Sequence, residues 1–470
     1  MGYRGALLLS LVVVLARAGS AAGAGPQQLT IPASDGVKLA CSLVEPEGAA
    51  PAGGWPAVML FHGIGGTHQD LEPLAETYLA PAGYATLGCD ARGNGASGGQ
   101  FGLDGPRDVQ DTRELLAWLA ARSEISDTQI GAVGFSLGGG AVLNAAVAGV
   151  AFKAIVPMIA WNDLGTALAP RGLAKSGIAL YLAQLVPQAR WQPDVLTAGA
   201  ALALGQAPPQ VTQVAAARSS RAKLSSLTVP TLLVQGRRDF LFDVDQALAA
   251  YRLLKGPKRL YLGDLGHPPG ASPASAPDLP VFAGEAVKWL DRYVKGTRNG
   301  IEKRPPVELA HDPWDGKTTS YRTLPPTKIA AVTLPGTTTI QSGGSVVRGA
   351  RLTGGPHETF GASTVAVTYS GAKSWDRLVA VLTQKVGGKE TVISAGGTRL
   401  SAAQGTAKIV LMDEIVRVPA GARLVVYLGA TSSGQSSATG LYVADLQPGA
   451  SITIGREKLA LSVLRKAVSR

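Results

Sequence analysis

Short apolar runs that alternate with helical patterns dominate the first 300 residues. These runs are typical of buried strands, and they lie at residues 37–44, 57–61, 84–89, 129–133, 153–158, 231–235 and 258–262. Strands that alternate with helices predict an α/β domain, with a mostly parallel sheet and helices on both faces.

A different pattern begins near Lys328. Short β-branched runs are separated by glycine-containing turns, at residues 345–347, 364–369, 377–382, 408–412, 423–428, 441–443 and 451–454. This spacing predicts an all-β sandwich of the jelly-roll type over residues 328–470, which we call the β-module. We expect a catalytic domain over residues 25–300 and a proline-containing linker over 301–327.

Between residues 161 and 227 the pattern changes to alanine- and leucine-rich helices that are interrupted by prolines. We interpret this insertion as a helical cap over a ligand site, with Trp161, Tyr181 and Trp191 as candidates to line its pocket. The alternative is that these are ordinary scaffold helices whose aromatic side chains pack in a core. A final helix is expected over residues 281–294.

The most informative motif is Gly-Phe-Ser-Leu-Gly at residues 134–138, between a predicted strand and a helix rich in small residues. A serine on such a tight turn is exposed above the sheet, and glycines on either side avoid collisions within the turn. Ser136 is therefore the candidate nucleophile. The alternative is a glycine-rich helix start with an incidental serine.

Two later strand ends carry the residues that a nucleophilic serine needs. Asp239 follows the strand 231–235, and His267 follows the strand 258–262. The order Ser, Asp, His is the one that α/β-hydrolases use. We expect His267 to be the base and Asp239 the acid that orients it. Asp243 and Asp245 fit the start of the following helix better than a catalytic role.

A glycine loop, His62-Gly-Ile-Gly-Gly, follows the predicted strand 57–61. The backbone N–H groups of Ile64 and Leu137 are the expected oxyanion hole. His62 is expected to position this loop. No His-Glu-x-x-His or paired-cysteine spacing is present, so we expect neither a metal nor another cofactor.

Together, these segments resemble the α/β-hydrolase serine enzymes of the X-prolyl dipeptidyl-peptidase and cocaine-esterase type. The resemblance includes residues 35–39, 90–99, the serine turn, 236–239, Gly266-His267 and the β-module. It implies a β-module that packs on the catalytic domain. That group often has tyrosines where this chain has Ile64 and Leu137, and residues 62–66 are more similar to small secreted esterases. Residues 90–99 are expected to be structural, with Arg92 in a buried ion pair or hydrogen bond.

The composition and the N-terminal sequence predict a folded, exported protein. The 470 residues, 46% hydrophobic and 16% charged, exceed what one core usually serves and exclude general disorder. Arg4, an apolar run over residues 6–16 and small residues up to Ala24 predict a signal peptide over residues 1–24, with an uncleaved anchor as the alternative. The protein is thus expected to be secreted. Cys41 and Cys89 are compatible with a disulfide or with buried thiols.

The net charge of +11 is concentrated near the C-terminus, because residues 325–470 hold 16 Lys and Arg against 7 Asp and Glu. One hypothesis is that the β-module binds anionic cell-envelope polymers, and the alternative is a solvated basic face. No nucleic-acid-binding motif is present. The function expected from the whole pattern is hydrolysis of carboxylic esters, with amides, X-prolyl peptides or a non-catalytic envelope-binding role as alternatives.

Overall fold

A computed structural model describes residues 25–268, 270–432 and 440–467. The predicted signal peptide, residues 1–24, lies outside these ranges. Among the described helices, none is both long and apolar enough to cross a membrane.

One large sheet carries the first part of the chain. Its strands are β1 Gln27–Pro32, β2 Lys38–Val44, β3 Trp55–Phe61, β4 Ala85–Cys89, β5 Ile125–Phe135, β6 Ile155–Met158, β7 Thr231–Gly236, β8 Lys258–Gly263, β9 Val307–Ala310 and β10 Thr318–Tyr321. They lie in the order β1-β2-β4-β3-β5-β6-β7-β8-β9-β10. The strands from β4 to β9 are parallel, and the edge strands are antiparallel.

Helices cover both faces of this sheet. They are α1 Glu72–Leu74, α2 Pro106–Ala120, α3 Leu137–Val147, α4 Leu164–Leu168, α5 Ser176–Leu182, α6 Pro193–Ala203, α7 Pro209–Ala216, α8 Val244–Leu253 and α9 Leu279–Tyr293. Short 3-10 or π turns occupy His68–Leu71, Ala75–Leu79, Pro170–Gly172, Gln188–Arg190, Arg221–Ser226, Pro273–Ser275 and Ile301–Lys303.

The side chains of β3 show why helices cover both faces of the sheet. Its alternate side chains enter two different apolar clusters, with Ala57 and Met59 packed beside α2, α3 and α8, and Val58 and Leu60 packed beside α9. A strand that is buried on both faces has a continuous apolar sequence, as this run does. The structure confirms the predicted α/β class.

The predicted linker over residues 301–327 is wrong. Val307–Ala310 pairs in parallel with β8, and Thr318–Tyr321 pairs antiparallel with β9, so this segment completes the large sheet. All four residues of β9 are buried. The prolines at 305–306 precede the strand rather than interrupt it, a position that proline tolerates.

The β-module contains two antiparallel sheets. One contains β11 Thr327–Leu334, β12 Thr338–Gln341, β15 Thr364–Lys373, β18 Gly405–Val410 and β21 Ser451–Leu464, and the other contains β13 Ser345–Arg351, β16 Arg377–Val386, β17 Lys389–Arg399 and β20 Arg423–Gly429. A short pair, β14 His357–Glu358 and β19 Arg417–Val418, lies apart from both.

The two sheets share one apolar core. Val365 and Val367 of β15 and Leu378 and Leu382 of β16 belong to the same buried cluster. This arrangement confirms the predicted all-β class of the module. Residues 441–443, however, are not a strand; the carbonyl of Leu441 accepts a hydrogen bond of 2.9 Å from the Gly177 N–H in the cap.

The helical cap, residues 161–227, connects β6 to the neighbouring strand β7. Helices α4 to α7 lie in this connection and form an apolar cluster of their own that includes Ala179, Ala198 and Leu202. A second cluster joins cap residues such as Trp191 to Leu137 beside the serine turn. The insertion therefore lies over the carboxyl ends of the parallel strands.

Cys41 and Cys89 form a disulfide, which decides between the two possibilities that the sequence left open. The two residues are directly opposite each other in the antiparallel pair β2 and β4. The bond therefore ties the antiparallel edge of the sheet to its parallel part.

Candidate active site

The serine turn joins β5 to α3 with a backbone that few residues adopt. Ser136 has φ of 54° and ψ of −115°, and its N–H donates to the Met158 carbonyl at 3.0 Å. A Cβ at Gly134 would lie 2.2 Å from the Gly138 carbonyl oxygen, and one at Gly138 would lie 2.1 Å from that of Phe61. Only glycine fits at these two positions, so the motif holds Ser136 in a strained turn, and only 7% of Ser136 is exposed.

Ser136, His267 and Asp239 lie in one hydrogen-bonded chain. The Ser136 hydroxyl is 2.8 Å from His267 Nε2, and His267 Nδ1 is 2.9 Å from Asp239 Oδ2. The carboxylate fixes the proton on Nδ1, which leaves Nε2 free to accept from the serine. Three residues from the ends of three different strands thus form the arrangement of a nucleophile, a base and an orienting acid.

Asp239 is fully buried, whereas His267 is partly accessible. The side chain of Asp239 is 0% exposed and that of His267 is 18% exposed. Asp239 Oδ1 accepts hydrogen bonds of 3.0 Å from the backbone N–H groups of Leu241 and Phe242. These donors stabilise a carboxylate that has no access to water. The ring of Phe242 packs edge-on against His267, with 5.3 Å between centroids, and so restricts the imidazole.

The predicted oxyanion loop lies beside the nucleophile. A Cβ at Gly63 would be 3.6 Å from Ser136 Cβ, and Ile64 packs in the same apolar cluster as Leu137. Leu137 is the first residue of α3, where helical N–H groups have no partner within the helix. Among the described residues, none accepts a hydrogen bond from the N–H of Ile64 or Leu137.

His62 links this loop to its neighbour rather than to the serine. Its Nδ1 donates to the Gly63 carbonyl at 2.7 Å, and its Nε2 accepts from the Ala91 N–H at 2.8 Å. Burial lowers the pKa of His62, which favours the neutral ring that these two bonds require. The histidine therefore positions the loop.

An apolar pocket with about 610 Å³ of empty space, part of it open to solvent, extends from Ile64 into the cap. Its described lining is aliphatic or aromatic throughout apart from glycines, and consists of Ile64, Phe101, Leu103, Leu164, Gly165, Leu168, Ala169, Ala179, Leu182, Trp191, Val195, Ala198, Gly199, Leu202, Val211, Val214 and Ala215. Such a pocket accommodates an apolar group and provides no partner for a charged one.

The three aromatic residues singled out in the cap have different positions. Trp191 lines the pocket and packs edge-on against Phe101, with 5.5 Å between centroids. Trp161 is not a lining residue; it packs against Phe242 and donates to the Arg218 carbonyl at 2.7 Å. Tyr181 is half exposed. Of the three candidates, Trp191 therefore lines this pocket, whereas Trp161 packs in a core, as the alternative expected.

Residues 90–99 lie outside the triad and form hydrogen bonds to neighbouring segments. Arg92 donates two hydrogen bonds of 2.7 Å to the carboxylate of Asp111 and one of 2.8 Å to Asp35. Asp90 Oδ1 accepts from His68 Nδ1 at 2.7 Å. Arg92 is buried, and its bonds connect the segment to α2 and to the turn before β2, as a structural role requires.

Two residues that contact the loop around Asp239 could not be identified from the local sequence. Glu414, from the β-module, accepts a hydrogen bond of 2.8 Å from the Asp239 N–H. Lys175, from the cap, donates to the carbonyls of Phe240 and Leu241 at 3.1 and 3.2 Å. Burial lowers the pKa of Lys175. Within the described ranges, no group of three or more His, Cys, Asp or Glu side chains is arranged to hold a metal ion.

Comparison with known sequences gives a family match and partial relatives. The model of the X-Pro dipeptidyl-peptidase (S15) family matches residues 35–269, a range that contains Ser136, Asp239 and His267. Two Escherichia coli relatives, 31.7 kDa proteins from the traX-finO intergenic region, are 34% and 33% identical over 131 residues. That match covers 28% of this chain and 46% of theirs, so the chain matches about half the length of these curated relatives.

Solved structures resemble nearly the whole chain. A CocE/NonD family hydrolase from Staphylococcus aureus aligns with a TM-score of 0.71 and 15% identity, over 94% of this chain and 97% of the other. An aminopeptidase from a marine sediment archaeon, Thaumarchaeota, aligns with 0.69 and 16%, over 94% and 96%. An α-amino acid ester hydrolase aligns with 0.70 and 16%, over 98% and 100%. At these identities the likeness shows the fold.

Proposed function

Because the chain belongs to the X-Pro dipeptidyl-peptidase (S15) family and is a serine hydrolase, we propose that it cleaves carboxylic esters through an acyl-enzyme on Ser136. The observation that carries this proposal is the continuous chain from Ser136 Oγ through His267 to Asp239, with contacts of 2.8 and 2.9 Å. A strained turn that places one hydroxyl against a correctly oriented imidazole is the arrangement that nucleophilic catalysis requires.

The reaction begins with attack of Ser136 Oγ on the ester carbonyl carbon while its proton moves to His267 Nε2. The negative charge that develops on the carbonyl oxygen is stabilised by the N–H groups of Ile64 and Leu137. The bond to the alcohol oxygen then breaks, and His267 returns the proton to that oxygen. Water, deprotonated by the same imidazole, attacks the acyl-enzyme and releases the acid.

The pocket supports an ester whose acyl group is apolar and uncharged. It begins at Ile64, which packs in the same apolar cluster as Leu137 beside the nucleophile, and continues into the cap. This position supports the pocket as the site of the acyl chain. None of the described lining residues carries an ionisable side chain. This lining favours an uncharged acyl group, because a buried charge without a partner is costly.

The second candidate is the X-prolyl dipeptidyl-peptidase activity that the family's description names. Such an exopeptidase requires acidic groups that bind the free amine of its substrate. In this chain, the residues that follow the triad acid closely are Leu241 and Phe242, both of which belong to the apolar cluster around Leu137. These neighbours favour an uncharged acyl group over an amino-terminal dipeptide.

A fluorophosphonate probe with a short alkyl chain tests the nucleophile directly. We expect stoichiometric labelling of the wild-type protein, a labelled peptide that contains Ser136, and a burst of nitrophenol from p-nitrophenyl butyrate. Ser136→Ala should abolish the labelling and the burst. Labelling at another serine would overturn the assignment of Ser136, and no labelling of a folded protein would favour the non-catalytic binding role.

We further propose that the protein is exported and that its basic β-module associates with anionic envelope polymers. The N-terminal apolar run and the Cys41–Cys89 disulfide support an oxidising compartment, and the charge excess of residues 325–470 supports the association. Retention on an anionic polymer at low salt, and its loss as salt rises, is the expected result. Failure to bind at low salt would exclude the association.

A further inference from the structure

A buried segment of the β-module runs beside the loop that carries the triad acid. The segment, residues 411–416, lies between β18 and β19, and the acid loop, residues 237–243, follows β7. The Ile415 N–H donates to the Arg237 carbonyl at 2.7 Å, and the Val244 N–H donates to the Asp413 carbonyl at 3.0 Å. The two segments are therefore joined through their backbones on both sides of Asp239.

Of the residues in this segment, Glu414 makes the contact nearest to the catalytic residues, because it binds the backbone of Asp239. Its Oε2 accepts a hydrogen bond of 2.8 Å from the Asp239 N–H, and Glu414 is only 2% exposed. The Asp239 N–H is buried with its residue, so this oxygen satisfies a donor that has no access to water. The bond fixes the backbone of the residue whose carboxylate orients His267.

Glu414 is placed to act as a neutral acceptor. Burial, together with the charges of Asp243 and Asp239, raises the pKa of its carboxyl well above the usual range. The shift favours the neutral carboxyl, which adds no negative charge beside Asp239. A glutamine, which is uncharged and retains an acceptor oxygen, should reproduce this contact.

From this geometry we infer that Glu414 is a positioning residue for the reaction, and that the β-module thereby completes the active site rather than merely flanking it. The inference rests on the proposed function, in which Asp239 is the triad acid. Glu414 touches neither the nucleophile nor the base, and acts through the Asp239 backbone. Other bonds to the acid loop, such as those from Lys175, make its loss partial rather than complete.

The experiment compares Glu414→Leu, which removes the acceptor, with Glu414→Gln, which keeps it. Glu457 is the matched control: it is a fully buried glutamate of the same module that accepts from Arg348 at 2.8 Å, in a different contact. Each variant is made in the full chain, and kcat, KM and the melting temperature are measured with p-nitrophenyl butyrate.

We expect Glu414→Leu to lower kcat by about 10- to 100-fold with little change in KM, since small misplacements of catalytic groups have effects of this size. Glu414→Gln should stay within about 3-fold of wild type on the same scale. Glu457→Gln and Glu457→Leu should lower the melting temperature while kcat of the folded protein is retained. In an Asp239→Asn background, Glu414→Leu should cause no further loss of kcat.

Three results would overturn the inference: a folded Glu414→Leu protein with wild-type kcat, a Glu414→Gln protein as slow as Glu414→Leu, or an equal loss of kcat in Glu457→Leu. Glu414→Ala replaces the leucine variant if the latter does not fold. If the wild type hydrolyses no ester, the rate at which the fluorophosphonate labels Ser136 is compared across the same variants. Failure of the ester proposal and failure of the positioning role are then separate results.

Discussion

Arg237 and Glu358 form an ion pair in which neither side chain is exposed to solvent. Arg237 belongs to the loop that carries Asp239, and Glu358 belongs to β14 of the β-module. The same guanidinium also donates to the carbonyls of Ala310 in β9 and Ile415 in the module. One buried cation therefore joins the large sheet, the acid loop and the β-module.

Breaking this pair should be costly, because it leaves a buried charge without its partner. We expect Glu358→Leu to lower the free energy of unfolding by about 3–5 kcal/mol. Adding Arg237→Met should recover part of that loss, although the carbonyls of Ala310 and Ile415 then lack their donor. Urea denaturation of both variants measures the two effects. Equal stability of Glu358→Leu and wild type would show that the pair does not join the domains as described.

The serine turn should not tolerate a methyl group at Gly134. Its Cβ would meet the Gly138 carbonyl at 2.2 Å, so we expect Gly134→Ala to destabilise the protein by about 1–3 kcal/mol and to abolish labelling of Ser136. Gly284→Ala is the control, since a Cβ there, on α9, meets nothing within 4 Å. That substitution should stabilise the helix by about 0.5–1 kcal/mol. Thermal unfolding and labelling report both outcomes, and a labelled, stable Gly134→Ala protein would contradict the account.

Acyl-chain selectivity should depend on the cap pocket. Ala198 lines it, whereas Leu196 on the same helix is exposed. We expect Ala198→Phe to reduce kcat/KM for p-nitrophenyl octanoate by about 10-fold or more while acetate hydrolysis changes little, because a pocket discriminates by the space it leaves. Leu196→Phe should leave both unchanged. An equal effect of Ala198→Phe on the two esters would place the acyl group elsewhere.

Asp108 should make stability depend on pH. It accepts a hydrogen bond from the Gly105 N–H at 2.8 Å, and burial, assisted by the charge of Asp111, raises its pKa to about 7. A raised carboxyl pKa means that the folded state holds the proton more tightly than the unfolded state, whose pKa is near 3.8. Its contribution is therefore complete below pH 3.8 and is lost as the pH rises towards 7.

Asp108→Asn removes this dependence because the amide keeps an acceptor and does not ionise. Relative to wild type, the variant should gain on the order of 2 kcal/mol between pH 5 and pH 8. Denaturant titrations at the two pH values measure the change, and Asp127→Asn at an exposed position is the control. The same difference between variant and wild type at both pH values would rule out a titrating Asp108.

Local patterns in the sequence predict much of the first domain and the candidates for its site. Apolar runs place Ser136, Asp239 and His267 after parallel strands, and such strands end at one edge of the sheet. Chain order and the glycine spacing then single out these three residues. The structure brings them within hydrogen-bonding distance.

Features that depend on distant contacts leave no comparable signal. Strand β9 has four residues between prolines and polar residues, so only its pairing with β8 identifies it as part of the sheet. Glu414 lies 175 residues after Asp239. Its sequence neighbours, Leu411-Met-Asp-Glu-Ile-Val416, are mostly apolar, as in many buried segments of a β-domain, and nothing in them indicates that the segment packs on the acid loop.

The most direct test of the central claim is a comparison of p-nitrophenyl butyrate with a glycyl-prolyl p-nitroanilide, using purified wild-type protein and Ser136→Ala. The account predicts turnover of the ester by wild type, a loss of at least about 1,000-fold in Ser136→Ala, and little or no turnover of the anilide. Ester hydrolysis that persists in Ser136→Ala, or a wild-type preference for the anilide, would contradict it.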